Sequence, residues 1–163
     1  MSGSLVETCQ VTPALFPTQT VSSVAATDVI TLNKYQKVTF VVGVGTVTTG
    51  GNISVRQMDS VGDTVASESR VDVDYVYENA GGASDTYTRR AGDSISSYGG
   101  CTVANADDSA IFLFEVRASQ LASSNDCVAL YFDSSTWNTT LVTVTAILSD
   151  ARYKQKVMPT ALA

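Results

Sequence analysis

The chain of 163 residues contains no histidine. That removes the commonest general base and the commonest metal ligand, so Ser-His-Asp and Cys-His catalysis are excluded. Charged residues make up only 16 % of the chain, against about 25 % in an average globular protein. Basic residues are the scarcer kind: ten Lys and Arg stand against 16 Asp and Glu, for a net charge of −6. Such a surface repels a phosphate backbone, so nucleic acid is not an expected partner. No apolar run approaches the roughly 20 residues that span a bilayer as a helix. Residues Met1 to Gln10 lack a basic segment followed by an apolar core. Neither a secretory signal nor a membrane partner is therefore expected.

The three cysteines, Cys9, Cys101 and Cys127, are odd in number and widely spaced, unlike the dense even count of a disulfide framework. Two readings remain: reduced thiols in a protein made in the cytosol, or a Cys101–Cys127 bridge between neighbouring strands. No phosphate-cradling motif is present, because Gly43-Val44-Gly45 lacks the rest of the pattern. Thiolates close enough together for zinc are also missing. No segment sustains a helical period over three turns, and no solenoid-length repeat occurs. No enzyme activity and no cofactor are expected.

What fills the chain is Thr, Val, Ser and other neutral residues suited to pleated sheets. Lys37-Val38-Thr39-Phe40-Val41-Val42-Gly43-Val44 places Val38, Phe40, Val42 and Val44 on one face by a period of two. Shorter strands are predicted at Val29–Leu32, Ile53–Met58, Thr86–Arg89 and Asp93–Ser96. Arg70–Tyr77 reads as one strand with Val71, Val73 and Tyr75 on a common face. Ala110–Arg117 reads as a central strand, buried on both faces at its start because Ile111-Phe112-Leu113-Phe114 is continuously apolar. Ala118–Ala122 fits one short helical turn. Asp126–Asp133 and Thr139–Leu148 complete the set.

Turns separate these runs at Asn33-Lys34, Gly50-Gly51-Asn52, Asp59–Asp63 and Gly81–Asp85. The expected fold class is all-β: one antiparallel β-sandwich or jelly-roll-like barrel. Its expected limits are 28–150, preceded by an extended N-terminal arm over 1–27, where Pro13 and Pro17 disfavour helix and central strand. A C-terminal tail covers 151–163.

Candidate contact residues follow from position and type. Pro13, Phe16 and Pro17 lie in the arm, which is either a loosely draped terminus or a strap across a neighbour. Tyr75, Tyr77, Tyr87 and Tyr98 cluster in the irregular middle and serve as interface anchors if exposed, or as core if buried. Arg152, Tyr153, Lys154 and Lys156 give the tail three basic residues and no acid, suited to an acidic partner surface or simply to solvent. Tyr75, Tyr77 and Trp137 are the candidates for a sugar platform. The carboxylate pairs Asp59/Asp63, Asp72/Asp74 and Asp107/Asp108 lack the ordered spacing of a helix-loop-helix calcium site, and read as turn and surface acids.

The run Leu32-Asn33-Lys34-Tyr35-Gln36-Lys37-Val38-Thr39-Phe40, within Val29 to Val42, resembles the first segment of small head proteins of tailed bacteriophages. Ile53–Met58 with Asp59-Ser60-Val61-Gly62 is similar to their next strand and loop. Ala146-Ile147-Leu148-Ser149-Asp150-Ala151-Arg152-Tyr153-Lys154 resembles their ending. The chain departs from the shorter members by a longer middle, from Asp63 to Asp108. The resemblance implies a head decoration (cement) protein on the outer surface of the virion. It would be made in the host cytoplasm, clamp neighbouring copies of the major capsid protein and form a homo-oligomer, a dimer or trimer. Two other readings stay open: a tail-tube or fibre-associated virion protein, and a carbohydrate-binding β-sandwich used in host adhesion.

Overall fold

A computed structural model of the chain describes residues 8–17, 20–21, 25–47, 49–73, 75–80, 85–91, 100–104, 109–133, 137 and 140–151. Alternation of apolar and polar residues sets β5 (Tyr35–Val44), β6 (Gly51–Met58) and β13 (Thr140–Ala151), while β11 (Ile111–Arg117) and β12 (Cys127–Asp133) begin as continuous apolar runs. Shorter strands are β1 (Gln10–Leu15), β2 (Thr20–Val21), β3 (Ala25–Ala26), β4 (Ile30–Thr31), β7 (Ser69–Arg70), β8 (Tyr75–Asn79), β9 (Thr88–Ala91) and β10 (Gly100–Val103). Single 3₁₀ turns occur at Val65–Ser67 and at Ala118–Gln120, the latter as expected.

The strands form two antiparallel sheets. The front sheet runs β1-β13-β5-β11-β8-β9, with β2 added to β13. The back sheet runs β10-β6-β12-β3, with β4 added to β12 and β7 to β6. The fold is thus the all-β sandwich that the patterning predicts. Its core takes Val38, Phe40, Val42, Phe112 and Phe114 from the front sheet and Ile53, Val55, Val128, Leu130 and Phe132 from the back. A smaller cluster of Met58, Val65, Cys127, Ala129 and Tyr131 closes the outer side of the back sheet beneath the first 3₁₀ turn.

Three sequence expectations change. First, Arg70–Tyr77 is two strands in different sheets. Arg70 pairs with Arg56 of the back sheet, while Tyr77 pairs with Leu113 of the front. Val71 and Val73 remain buried as the chain crosses between sheets. The crossing shifts the alternation, so Val76 turns inward and Tyr75 outward.

Second, β11 is central but buried on one face only, with Phe112, Phe114 and Val116 inside and Ile111 37 % exposed. Third, the described part of the arm is not a free strap. β1 is the edge strand bonded to β13, and β3 pairs with β12. Pro13, which lacks an N–H to donate, is accommodated on that edge, and the register shifts between Pro13 and Leu15. Of the two cysteine readings, the structure supports reduced thiols and not the Cys101–Cys127 bridge: both are free. Their register partners on β6 are Ile53 and Met58, so about 16 Å of strand separates them, against a bridging limit near 7 Å between Cα atoms. They also belong to different clusters, on opposite faces of the back sheet.

The predicted strand Asp93–Ser96 lies outside the described residues, as does the tail beyond Ala151.

Candidate functional site

The two faces of the sandwich are finished differently. The back sheet carries the 3₁₀ turn at Val65 on its outer side. Arg56 there lies 4.8 Å above the Tyr131 ring and donates to the Glu68 carbonyl at 2.7 Å. Among the described residues nothing comparable covers the middle of the front sheet.

The outward positions in the middle of that sheet set Val41, Leu113 and Ile147 among threonines, with Glu115 opposite Thr39 and Asn79 opposite Ile111. One cross-strand row, from β1 to β9, reads Pro13, Thr145, Val41, Leu113, Tyr77 and Arg89. The neighbouring rows bring Val11, Ile147 and Thr39 on one side, and Thr143, Gly43 and Ile111 on the other. Val11 is 48 % exposed, Leu141 53 % and Phe16 61 %. Val41, Leu113 and Ile147 between them are half-buried, and exposed apolar surface of this kind makes the face a candidate contact surface.

At one end of this face lies a groove of about 340 Å³. Gly43 and Gly45 form its floor, Ile111 and Leu141 its walls, and Pro17 part of its rim. The glycines matter because the strands are close: a Cβ on Gly43 would stand 2.9 Å from the Thr143 methyl. No charged side chain lines the groove among the described residues. Thr143 Oγ1 donates to the Leu15 carbonyl at 3.5 Å, holding the end of β1 against β13. Phe16 and Pro17 are thereby brought to the mouth of the groove.

The opposite end of the face is polar. Lys37 Nζ lies 3.4 Å from Glu115 Oε2, and Arg117 Nη2 lies 3.6 Å from Glu115 Oε1. Tyr75 and Tyr77 meet edge to face at 5.3 Å between centroids, with the Arg89 guanidinium 5.1 Å above Tyr75.

Between the sheets, Glu78 is buried and both its oxygens accept from Arg90, through Nε and Nη2. Arg90 Nη1 also donates to the Thr102 carbonyl of β10 at 2.9 Å. One guanidinium therefore ties the front sheet to the back, in the bidentate geometry that suits a carboxylate best.

The candidate contact residues fall into three groups. Pro13, Phe16 and Pro17 are exposed, and of these Pro17 lines the groove, together with Leu141 and Ile111, which the sequence pattern does not single out. Tyr75 and Tyr77 face outward on β8, and Tyr87, 43 % exposed, precedes β9. Tyr98, Arg152, Tyr153, Lys154 and Lys156 lie outside the described residues. Trp137 is no sugar platform: it is buried, edge to face with Phe132 at 5.8 Å. A signal for the missed residues did exist in the continuous Ile111-Phe112-Leu113-Phe114 run. Half of that run had to face away from the core.

The acidic pairs behave as turn residues where they are described. Asp63 Oδ2 accepts from the Ser60 amide at 3.0 Å, and a hydrogen bond from Asp63 together with its charge raises the pKa of Asp59. Among the described residues no group of His, Cys, Asp and Glu side chains is placed to hold a metal ion. No described helix is long and apolar enough to cross a membrane.

No protein-family model matches the chain, and no curated protein matches it. The crystal structure of the SPBc2 prophage-derived protein YomS is similar with a TM-score of 0.45 at 9 % identity, over 86 % of this chain and 91 % of that one.

Proposed function

We propose that this protein is a structural component of a tailed-phage virion. It decorates the outside of the head by clamping neighbouring major capsid subunits, and it does so as a homo-oligomer. The observation that carries the reading is the open apolar face of the front sheet, with its glycine-floored groove. A sheet face of this kind adheres by shape and burial. Fully burying a Leu, Ile or Phe side chain contributes about 1.5–3 kcal/mol. Phe16, Ile111 and Leu141 together supply a contact of useful strength from one small patch.

The segments resembling phage head proteins support the same reading. Leu32 to Phe40 builds the turn into β5 and the first half of that strand, and Ala146 to Ala151 builds the end of β13. These two segments pair with each other in the front sheet that carries the open face, while the third, Ile53–Met58, belongs to β6 of the back sheet. Many copies on a regular lattice turn modest single contacts into firm attachment.

The test is co-sedimentation of the purified protein with phage heads that lack it. Saturable binding at a fixed ratio to the major capsid protein, weakened in Leu141→Asp, is the expected result. Absence of binding at every salt concentration would move the protein to the tail or off the virion.

A further inference from the structure

The polar end of the front sheet contains a second recess, about 290 Å³ in volume. Among the described residues Tyr75, Glu115, Arg117, Ser119 and Gln120 line it. This is the low end of the roughly 300–1,000 Å³ range of ligand clefts, room for one ring rather than an extended chain.

Its walls are fixed by the fold. Glu115 and Tyr75 occupy outward positions on β11 and β8. The 3₁₀ turn holds Gln120 in place: Oε1 accepts from the Arg117 amide at 2.8 Å, and Nε2 reaches the Asp72 carbonyl at 3.5 Å.

The charged groups are paired only loosely. Glu115 lies 3.4 Å from Lys37 and 3.6 Å from Arg117, whereas charge-assisted hydrogen bonds close to about 2.7–2.9 Å. The Arg117 side chain is 64 % exposed, and a guanidinium has five N–H donors to satisfy. An acceptor and a donor thus stand side by side at the mouth of one recess, each with capacity left for a ligand.

That pairing selects the ligand by exclusion. A simple anion drawn to Arg117 meets the Glu115 carboxylate. A simple cation drawn to Glu115 meets Lys37, Arg117 and the Arg89 guanidinium above Tyr75. A neutral group that offers a donor and an acceptor on adjacent atoms satisfies both, and a vicinal diol is such a group. The Tyr75 ring adds an apolar wall for the C–H side of a sugar.

We infer that this recess is a saccharide subsite for one neutral pyranose ring. Glu115 accepts from one hydroxyl of a vicinal diol, Arg117 donates to its neighbour, and Tyr75 packs against the ring. The site is independent of head attachment, because Arg117 and Ile111 lie at opposite ends of β11, about 20 Å apart. A protein held by the groove end keeps this end outward, where many weak copies act together on a polysaccharide.

The experiment is saturation-transfer difference NMR on the full chain with methyl glycosides of glucose, galactose, mannose, rhamnose and N-acetylglucosamine. At least one should bind with a Kd of about 1–10 mM. Glu115→Gln and Arg117→Gln should each weaken that sugar at least five-fold while melting at the wild-type temperature, both side chains being solvent-accessible. Leu141→Asp at the groove end should leave sugar binding unchanged. A deoxy analogue of the bound sugar lacking one diol hydroxyl should lose binding to the wild type. Absence of transfer from all five sugars overturns the proposal, and so does binding that survives both recess variants.

Discussion

Ile111 of β11 stands opposite Gly43 of β5 in the antiparallel register, on the outward side of the front sheet. An apolar wall is thereby set beside a bare backbone floor, and the groove exists because Gly43 has no side chain. An added Cβ at Gly43 has one close neighbour, the Thr143 methyl at 2.9 Å, which must shift; against that, a β-branched residue favours the strand by propensity and by restricting the unfolded chain. Gly43→Thr is therefore predicted to leave the melting temperature unchanged or raised while weakening head binding at least five-fold. Melting curves and sedimentation on one preparation separate the two effects.

Removing apolar area from the walls has the converse design. Phe16→Ser and Leu141→Asp change side chains that are 61 % and 53 % exposed, so stability should move by less than about 0.5 kcal/mol. Each is predicted to weaken head binding about ten-fold or more, the equivalent of losing about 1.5 kcal/mol of burial.

The Glu78–Arg90 pair makes a prediction about the fold alone. Arg90→Met leaves the buried Glu78 carboxylate without the guanidinium that now engages both its oxygens. Denaturant unfolding should show a loss of about 3 kcal/mol, and the double variant Glu78→Leu/Arg90→Met should recover most of it. If the single and double variants lose equally, the staple between the sheets is not an ion pair in its effect.

Gly51 lies against the Trp137 indole, since a Cβ there would stand 2.3 Å from Nε1. The indole is buried against Phe132 and has little room to retreat. Gly51→Ala should destabilise by about 1–3 kcal/mol and alter the near-ultraviolet circular dichroism of the single tryptophan.

The thiols supply a pH test. Burial, reinforced by the neighbouring Asp126, pushes the Cys127 thiol from the ordinary 9.0 up to about 12. A raised folded-state value favours the protonated fold, so this contribution is complete below the ordinary value and is lost as pH rises toward 12. Under native conditions near pH 8, Cys9 should react with a thiol reagent while Cys101 and Cys127 stay silent until denaturant is added. Reaction of all three without denaturant would contradict the packing described.

Much of the sandwich is legible because β5 and β13 alternate cleanly. Val38, Phe40, Val42 and Val44 all enter the core as their spacing indicates. The segment Arg70–Tyr77 misled because its alternation runs through a crossing between sheets, where burial continues but the hydrogen-bonding partner changes. β1 reads in the sequence as part of an extended arm because proline weakens a strand signal, although an edge strand tolerates proline where its N–H would face outward. The outward face of the front sheet is half legible. Continuous apolar residues at Ile111–Phe114 read as burial on both faces, and alternation alone cannot tell a covered face from one awaiting a partner. Phe16 and Pro17 were singled out by type. Their neighbours Leu141 and Gly43 entered the site only through register, which no local pattern encodes.

The most direct test of the account is an electron cryo-microscopy map of heads saturated with the protein. The decoration reading predicts added density on the outer surface of the shell, with the groove end of the front sheet, at Phe16, Ile111 and Leu141, against the major capsid protein and the Glu115–Arg117 end left exposed. Density confined to the tail, or a head-bound molecule whose groove end faces solvent, would contradict it.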